Sequence, residues 1–139
     1  MAGFVSIADP DTGVGVVPAQ AYGRGQTPVT ASSTGAATAL TATLPAVSGK
    51  TNYLAGFEIT GGGATAASLV TVTITGTLGG TMSYVVAVPA GATTGIVPLL
   101  FDFNPNIPAS AANTAITVNV PSFGAGNTAA AVVVHGFYQ

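Results

Sequence analysis

The sequence predicts an all-β protein: an antiparallel β-sandwich of jelly-roll type with an extended N-terminal arm. Three observations carry that expectation. Lys, Glu, Arg, Gln and Leu are scarce, whereas Thr, Val and Gly are abundant, which disfavours helix. Nineteen glycines and nine prolines punctuate the 139 residues every few positions, so regular structure is confined to short runs. Several of those runs alternate apolar and polar side chains with a period of two, as a strand with one buried face requires.

Residues 1–31 read as the arm. The stretch IADPDTGVGVVPAQAYGRGQTP is rich in Gly and Pro and shows neither strand nor helix period. It nevertheless carries Val14, Val16 and Val17 besides Phe4, Val5, Ile7 and Tyr22. Such apolar groups suit a segment ordered against another subunit better than a solvated linker.

Residues 32–139 read as the sandwich domain. A first strand over 38–44 is stopped by Pro45, and 48–52 is a turn. Residues 53–60 form a second strand, and Gly61-Gly62-Gly63 a loop. The cleanest alternation is at 68–77, with Val70, Val72 and Ile74 on one face and Thr71, Thr73 and Thr75 on the other. Gly79-Gly80 turns the chain back into 81–88, where Met82, Tyr84, Val86 and Val88 align. A strand over 95–103 aligns Val97, Leu99, Phe101 and Phe103, and Pro98 within it marks an edge strand or a bulge. Residues 104–108 read as a loop and 109–113 as one helical turn. Strands over 114–120 and 128–138 follow. The last is apolar on both faces, so it is either central in its sheet or covered by a partner subunit. Seven or eight strands at this spacing fit two packed sheets. An immunoglobulin-like sandwich would show Cys and Trp, which are absent, and no internal repeat points to a propeller or solenoid.

Charge is the unusual feature of the composition. Only Arg24, Lys50, Asp9, Asp11, Glu58 and Asp102 are formally charged, where an ordinary domain of this length would carry roughly 35 such residues. Size scaling gives a folded surface of roughly 6,500 Å², or roughly one charge per 1,000 Å². Such a surface is poorly protected against association. Much of it is therefore expected to be covered by neighbours and the rest built from Thr, Ser, Asn and Gly backbone. A net charge of −2 without clustered Lys or Arg excludes nucleic acid and anionic lipid as expected partners. Mean hydropathy is +0.62, yet the longest apolar runs, such as 129–134, fall far below the ~20 residues of a spanning helix. Paired aromatic girdles of an outer-membrane barrel are missing. The N-terminus has no basic region and is not expected to be a secretory signal. With no Cys, neither a disulfide framework nor a thiolate metal site is available.

The candidate chemistry is thin. His135, the one histidine, has no nucleophile or orienting partner nearby in sequence, and reads as a polar group at a subunit contact. Asp9 and Asp11 have the spacing of part of a calcium loop but lack the remaining oxygen ligands and the distal Glu. Glu58 and Asp102 could serve as paired carboxylates only if brought within about 5–10 Å in a polar cleft. Both alternate with apolar neighbours, so each is expected to point out of its strand, free to pair with Arg24 or Lys50. Gly61-Gly62-Gly63 is not followed by Lys-Ser/Thr and opens no helix, so it is no phosphate loop. No enzyme activity, cofactor or metal is expected.

The segments ASSTGAATALTATLPAVSGKTNYLAGFEIT, TVTITGTLGGTMSYVVAVPAGAT and NPNIPASAANTAITVNVPSFGAGNTAAAVVVHGF carry a resemblance. Through them, Ser32 to Gln139 looks like small tailed-phage virion proteins of jelly-roll type, and in particular like capsid decoration, or cement, proteins. The resemblance implies a homotrimer on the outer capsid surface of a bacteriophage virion that clamps the major capsid protein. Residues 1–31 lie outside it. From the residues alone, Phe4, Val5, Ile7, Tyr22 and Arg24 are expected to touch the shell, and His135, Phe137 and Tyr138 to form the contact between copies. An alternative is a head-fibre, collar or tail component binding host surface glycans, which would present clustered aromatics at one rim. A surface-layer or adhesin domain would call for a secretion signal.

Overall fold

A computed structural model of the protein describes residues 25–91 and 98–139. The predicted shell-contact residues Phe4, Val5, Ile7, Tyr22 and Arg24, together with Asp9, Asp11 and residues 95–97, lie outside the described residues. Among the described residues there is no helix. The strands are β1 (Thr27–Gly35), β2 (Leu40–Leu44), β3 (Asn52–Gly62), β4 (Ser68–Thr75), β5 (Met82–Val88), β6 (Leu99–Pro108), β7 (Ile116–Val120) and β8 (Ala129–Tyr138).

Pairing follows one rule. β1 pairs with β8, β2 with β7, β3 with β6 and β4 with β5, all antiparallel. The chain is thus one long hairpin wrapped on itself. Additional β3–β8 and β4–β7 ladders join the turns of the wrap into two sheets, of order β1-β8-β3-β6 and β2-β7-β4-β5. This is the jelly-roll sandwich that the sequence predicts. β1 packs against β2 at one border of the sandwich. At the other border β5 faces β6, where the rings of Tyr84 and Phe101 lie 5.0 Å apart.

The core sits where the alternation places it. Val70, Val72 and Ile74 of β4 and Ile116, Val118 and Val120 of β7 turn inward from one sheet. Leu54, Phe57 and Ile59 of β3 and Val132 and Val134 of β8 turn inward from the other. Phe57 stacks on Phe101 at 4.5 Å and tilts against Tyr84 at 5.9 Å, linking the two sheets. Burying side chains of this size stabilises by about 1.5–3 kcal/mol each.

Four local expectations need correction. β1 begins at Thr27, inside the segment read as arm. Its register from Thr27↔Tyr138 to Gly35↔Ala130 supplies backbone partners that no local pattern reveals. β6 runs on through residues 104–108, because Pro108 and Ile107 pair with Tyr53 and Leu54; Pro105 and Pro108 are tolerated on an edge strand, which has a partner on one side only. Gly61 and Gly62 belong to β3 rather than a loop, and a Cβ at Gly61 would lie 2.5 Å from the Phe123 ring.

Residues 109–113 form a turn, not a helical one. Their N–H groups go to distant carbonyls: Ala109 donates to Asn52 (2.8 Å), Ser110 to Gly76 (2.9 Å) and Asn113 to Lys50 (2.9 Å). The apolar β8 lies between β1 and β3, a central position; its inner face is buried, while Ala131, Val133 and His135 on its outer face are half-buried.

Candidate interaction surface

The predicted contact residues His135, Phe137 and Tyr138 all lie on β8, at the end of the sheet where β1 begins. Cross-strand register arranges the outer face of this sheet into rows. Pro28, Phe137, Tyr53 and Pro108 form one row, and Thr30, His135, Gly56 and Asp102 the next. Ser32, Val133, Glu58 and Leu100 form the third. β1 begins beside the first row, where Thr27 stands opposite Tyr138.

The first row is aromatic. Tyr53 and Phe137 stack with ring centroids 5.0 Å apart and planes 11° apart. Phe137 is only 4% exposed, although it projects from the outer face. Tyr53, which sequence reasoning did not single out, is the more exposed member of the stack. Tyr138 and His135 are half-buried. Of the three predicted contact residues, Phe137 is the least exposed.

The second row brings together two residues the sequence keeps apart. His135 Nε2 is 3.9 Å from Asp102 Oδ1. Gly56 of β3 lies between them, and its missing side chain opens the path: a Cβ there would sit 3.0 Å from both atoms. Glu58 and Asp102 point outward, as their alternation predicts, but Asp102 meets His135 rather than Lys50. Opposite His135 stands Thr30, so the row contains a hydroxyl, an imidazole and a carboxylate. At 3.9 Å the imidazole and carboxylate are beyond hydrogen-bonding range. Two concavities are lined by 67–69 with 87–89 and by 34–36, 60–61 and 128–131. Neither includes this row. No group of three or more His, Cys, Asp or Glu that could hold a metal occurs among the described residues.

The opposite sheet presents a different surface. Thr41 Oγ1 donates to Asn119 Oδ1 (2.9 Å), and the Thr43 and Thr117 hydroxyls are 3.0 Å apart. Thr73, Thr75 and Ser83 continue this neutral polar lattice. Beyond it the same face turns apolar: Leu69 is 73% and Val85 66% exposed, with Ala87 paired opposite Leu69. Both Leu69 and Val85 break the alternation of their strands, SLVTVTIT and MSYVVAV. Searches against protein-family models, curated proteins and solved structures return no match to this chain.

Proposed function

We propose that this protein is a structural virion protein: a homotrimeric decoration or cement protein that binds the major capsid protein on the outer surface of a phage head and stabilises the shell. One observation carries the reading. An eight-stranded jelly roll exposes 6890 Å² while the whole chain has two basic and four acidic side chains. A surface so poor in charge is stable against indiscriminate association only when neighbours cover it. Contacts of that kind are also insensitive to salt, because little of their energy is ionic.

The arm residues Phe4, Val5, Ile7, Tyr22 and Arg24 would take the shell contact, and the β8 end, through His135, Tyr138 and the Tyr53–Phe137 stack, the contact between copies. Three arms on one trimer bind as a unit, so modest single contacts add up through effective concentration. Deleting residues 2–26 tests this, because the deletion stops short of β1. The full chain is expected to co-sediment with purified heads, and the shortened one to stay folded and remain in the supernatant. Co-sedimentation of the shortened chain at full occupancy would remove the arm from the reading, and failure of the full chain to bind heads would remove the function.

A further inference from the structure

The two sheets have four edge strands, and three of them are blunted. β2 has only five residues. β1 carries Pro28 and an otherwise mostly Ser/Thr sequence, and packs against β2. β6 carries the exposed Asp102 as well as Pro105 and Pro108. Short length, proline and charge are the devices that keep an edge from pairing with another chain.

β5 has none of these. Its seven residues, MSYVVAV, contain no Pro and no charge, and its register with β4 is continuous from Ser68↔Val88 to Ile74↔Met82 without a bulge. Among the described residues no strand pairs with its other side, so it offers a regular row of backbone N–H and C=O groups there. Several of its side chains are also incompletely covered. Val85 and Ala87 are exposed on the outer face beside Leu69, and Met82 and Tyr84 are only half-buried on the inner face. Glu58, Asp102 and Lys50 all lie off this face, on the other sheet or in the turn before β3. Among the described residues, two copies meeting here bring no like charges together.

We infer that β5 is a two-fold contact between copies of this chain, in which β5 pairs antiparallel with the β5 of a second copy and the two β2-β7-β4-β5 sheets become one continuous sheet. The register follows from geometry. Antiparallel pairing must match inner side chains with inner and outer with outer. Full overlap of the seven residues then sets Val85 opposite Val85 and Ser83 opposite Ala87 on the outer face. On the inner face it sets Tyr84 opposite Val86 and Met82 opposite Val88, covering the two half-buried side chains. This contact lies at the opposite border of the sandwich from β1, so it leaves free the β8 end proposed for the other contact between copies. It goes beyond the proposed function and does not depend on it, since the strand pairing needs no shell.

The chain has no Cys, so single cysteines report the register directly, in the full chain and in the absence of capsids. Directly opposed side chains bring their Cβ atoms close enough to bridge. Val85→Cys is expected to give a covalent dimer under mild oxidation. Ser83→Cys and Ala87→Cys are each expected to stay unlinked alone and to link when mixed. Val85→Lys, at an exposed position, is expected to keep the fold and abolish the pairing step seen by sedimentation. The inference is overturned if Val85→Cys fails to link, if Ser83→Cys links as readily alone as in the mixture, or if Val85→Lys leaves the association state unchanged.

Discussion

His135 Nε2 and Asp102 Oδ1 approach to 3.9 Å although their strands, β8 and β6, are separated by β3. Gly56 makes the approach possible. A Cβ at this position would stand 2.4 Å from the Phe101 carbonyl oxygen as well as 3.0 Å from each member of the pair. The pair reports how closely three strands are drawn together, and it contributes little energy itself, because Asp102 is 84% exposed in its side chain.

That distinction gives a first prediction. Asp102→Asn should change stability by less than about 1 kcal/mol, whereas Gly56→Ala should cost about 1–3 kcal/mol by forcing backbone apart. Urea denaturation of both variants checks the order. Equal losses would mean that the His135–Asp102 contact, not the close approach, holds the row together.

Gly136 is a second such position, on the inner side of β8. A Cβ there would meet the Tyr53 carbonyl oxygen at 2.1 Å and Leu44 Cδ1 at 3.1 Å. Backbone in a central strand cannot move aside as a flexible side chain can. Gly136→Ala is expected to destabilise by more than about 2 kcal/mol, seen as a lower denaturation midpoint with an unchanged slope.

Asn127 ties three segments together from a buried position. Its Oδ1 accepts from the Ala37 N–H (2.8 Å), and its Nδ2 donates to the carbonyls of Gly62 (2.6 Å) and Ala129 (2.9 Å). Asn127→Asp keeps the acceptor and removes both donors, leaving two carbonyls facing a carboxylate. A loss of about 2–4 kcal/mol is expected, with the strongest increase in amide exchange in the β3–β8 ladder, where the Gly62 and Ala129 carbonyls lose their donors. A variant as stable as the parent would mean that water replaces these bonds freely.

Phe57 and Leu100 separate the core from the outer face. Phe57 is fully buried and stacked on Phe101 at 4.5 Å, so Phe57→Ala should cost about 3–5 kcal/mol. Leu100 is 66% exposed on the neighbouring strand, and Leu100→Ser should fall within about 0.5 kcal/mol of the parent. Thermal melts of the two suffice to check the contrast.

The strands that could be read from the sequence are those whose pattern is a consequence of burial on one side. β4, β5 and β7 alternate because one face of each meets the core, and the inward residues of all three were legible as such. β1 was not legible. Its inward side chains are Val29, Ala31, Ser33 and Gly35, too small and too polar to set a hydrophobic period. It is a strand because β8, about a hundred residues later, supplies its hydrogen-bond partners. The same holds for residues 104–108, where turn-forming residues extend under the pull of the β3 ladder.

By itself, then, the sequence determined the class of fold, the inner faces of the strongly alternating strands, the outward aim of Glu58 and Asp102, and the scarcity of charge on the surface. These depend on composition and on neighbours one or two residues apart. Tertiary structure alone decided that Asp102 would meet His135, that Phe137 would stack on Tyr53, and which strands would form the edges of the two sheets. Each of those depends on register between segments far apart in the chain, and register is set by the whole set of ladders closing at once rather than by any one of them.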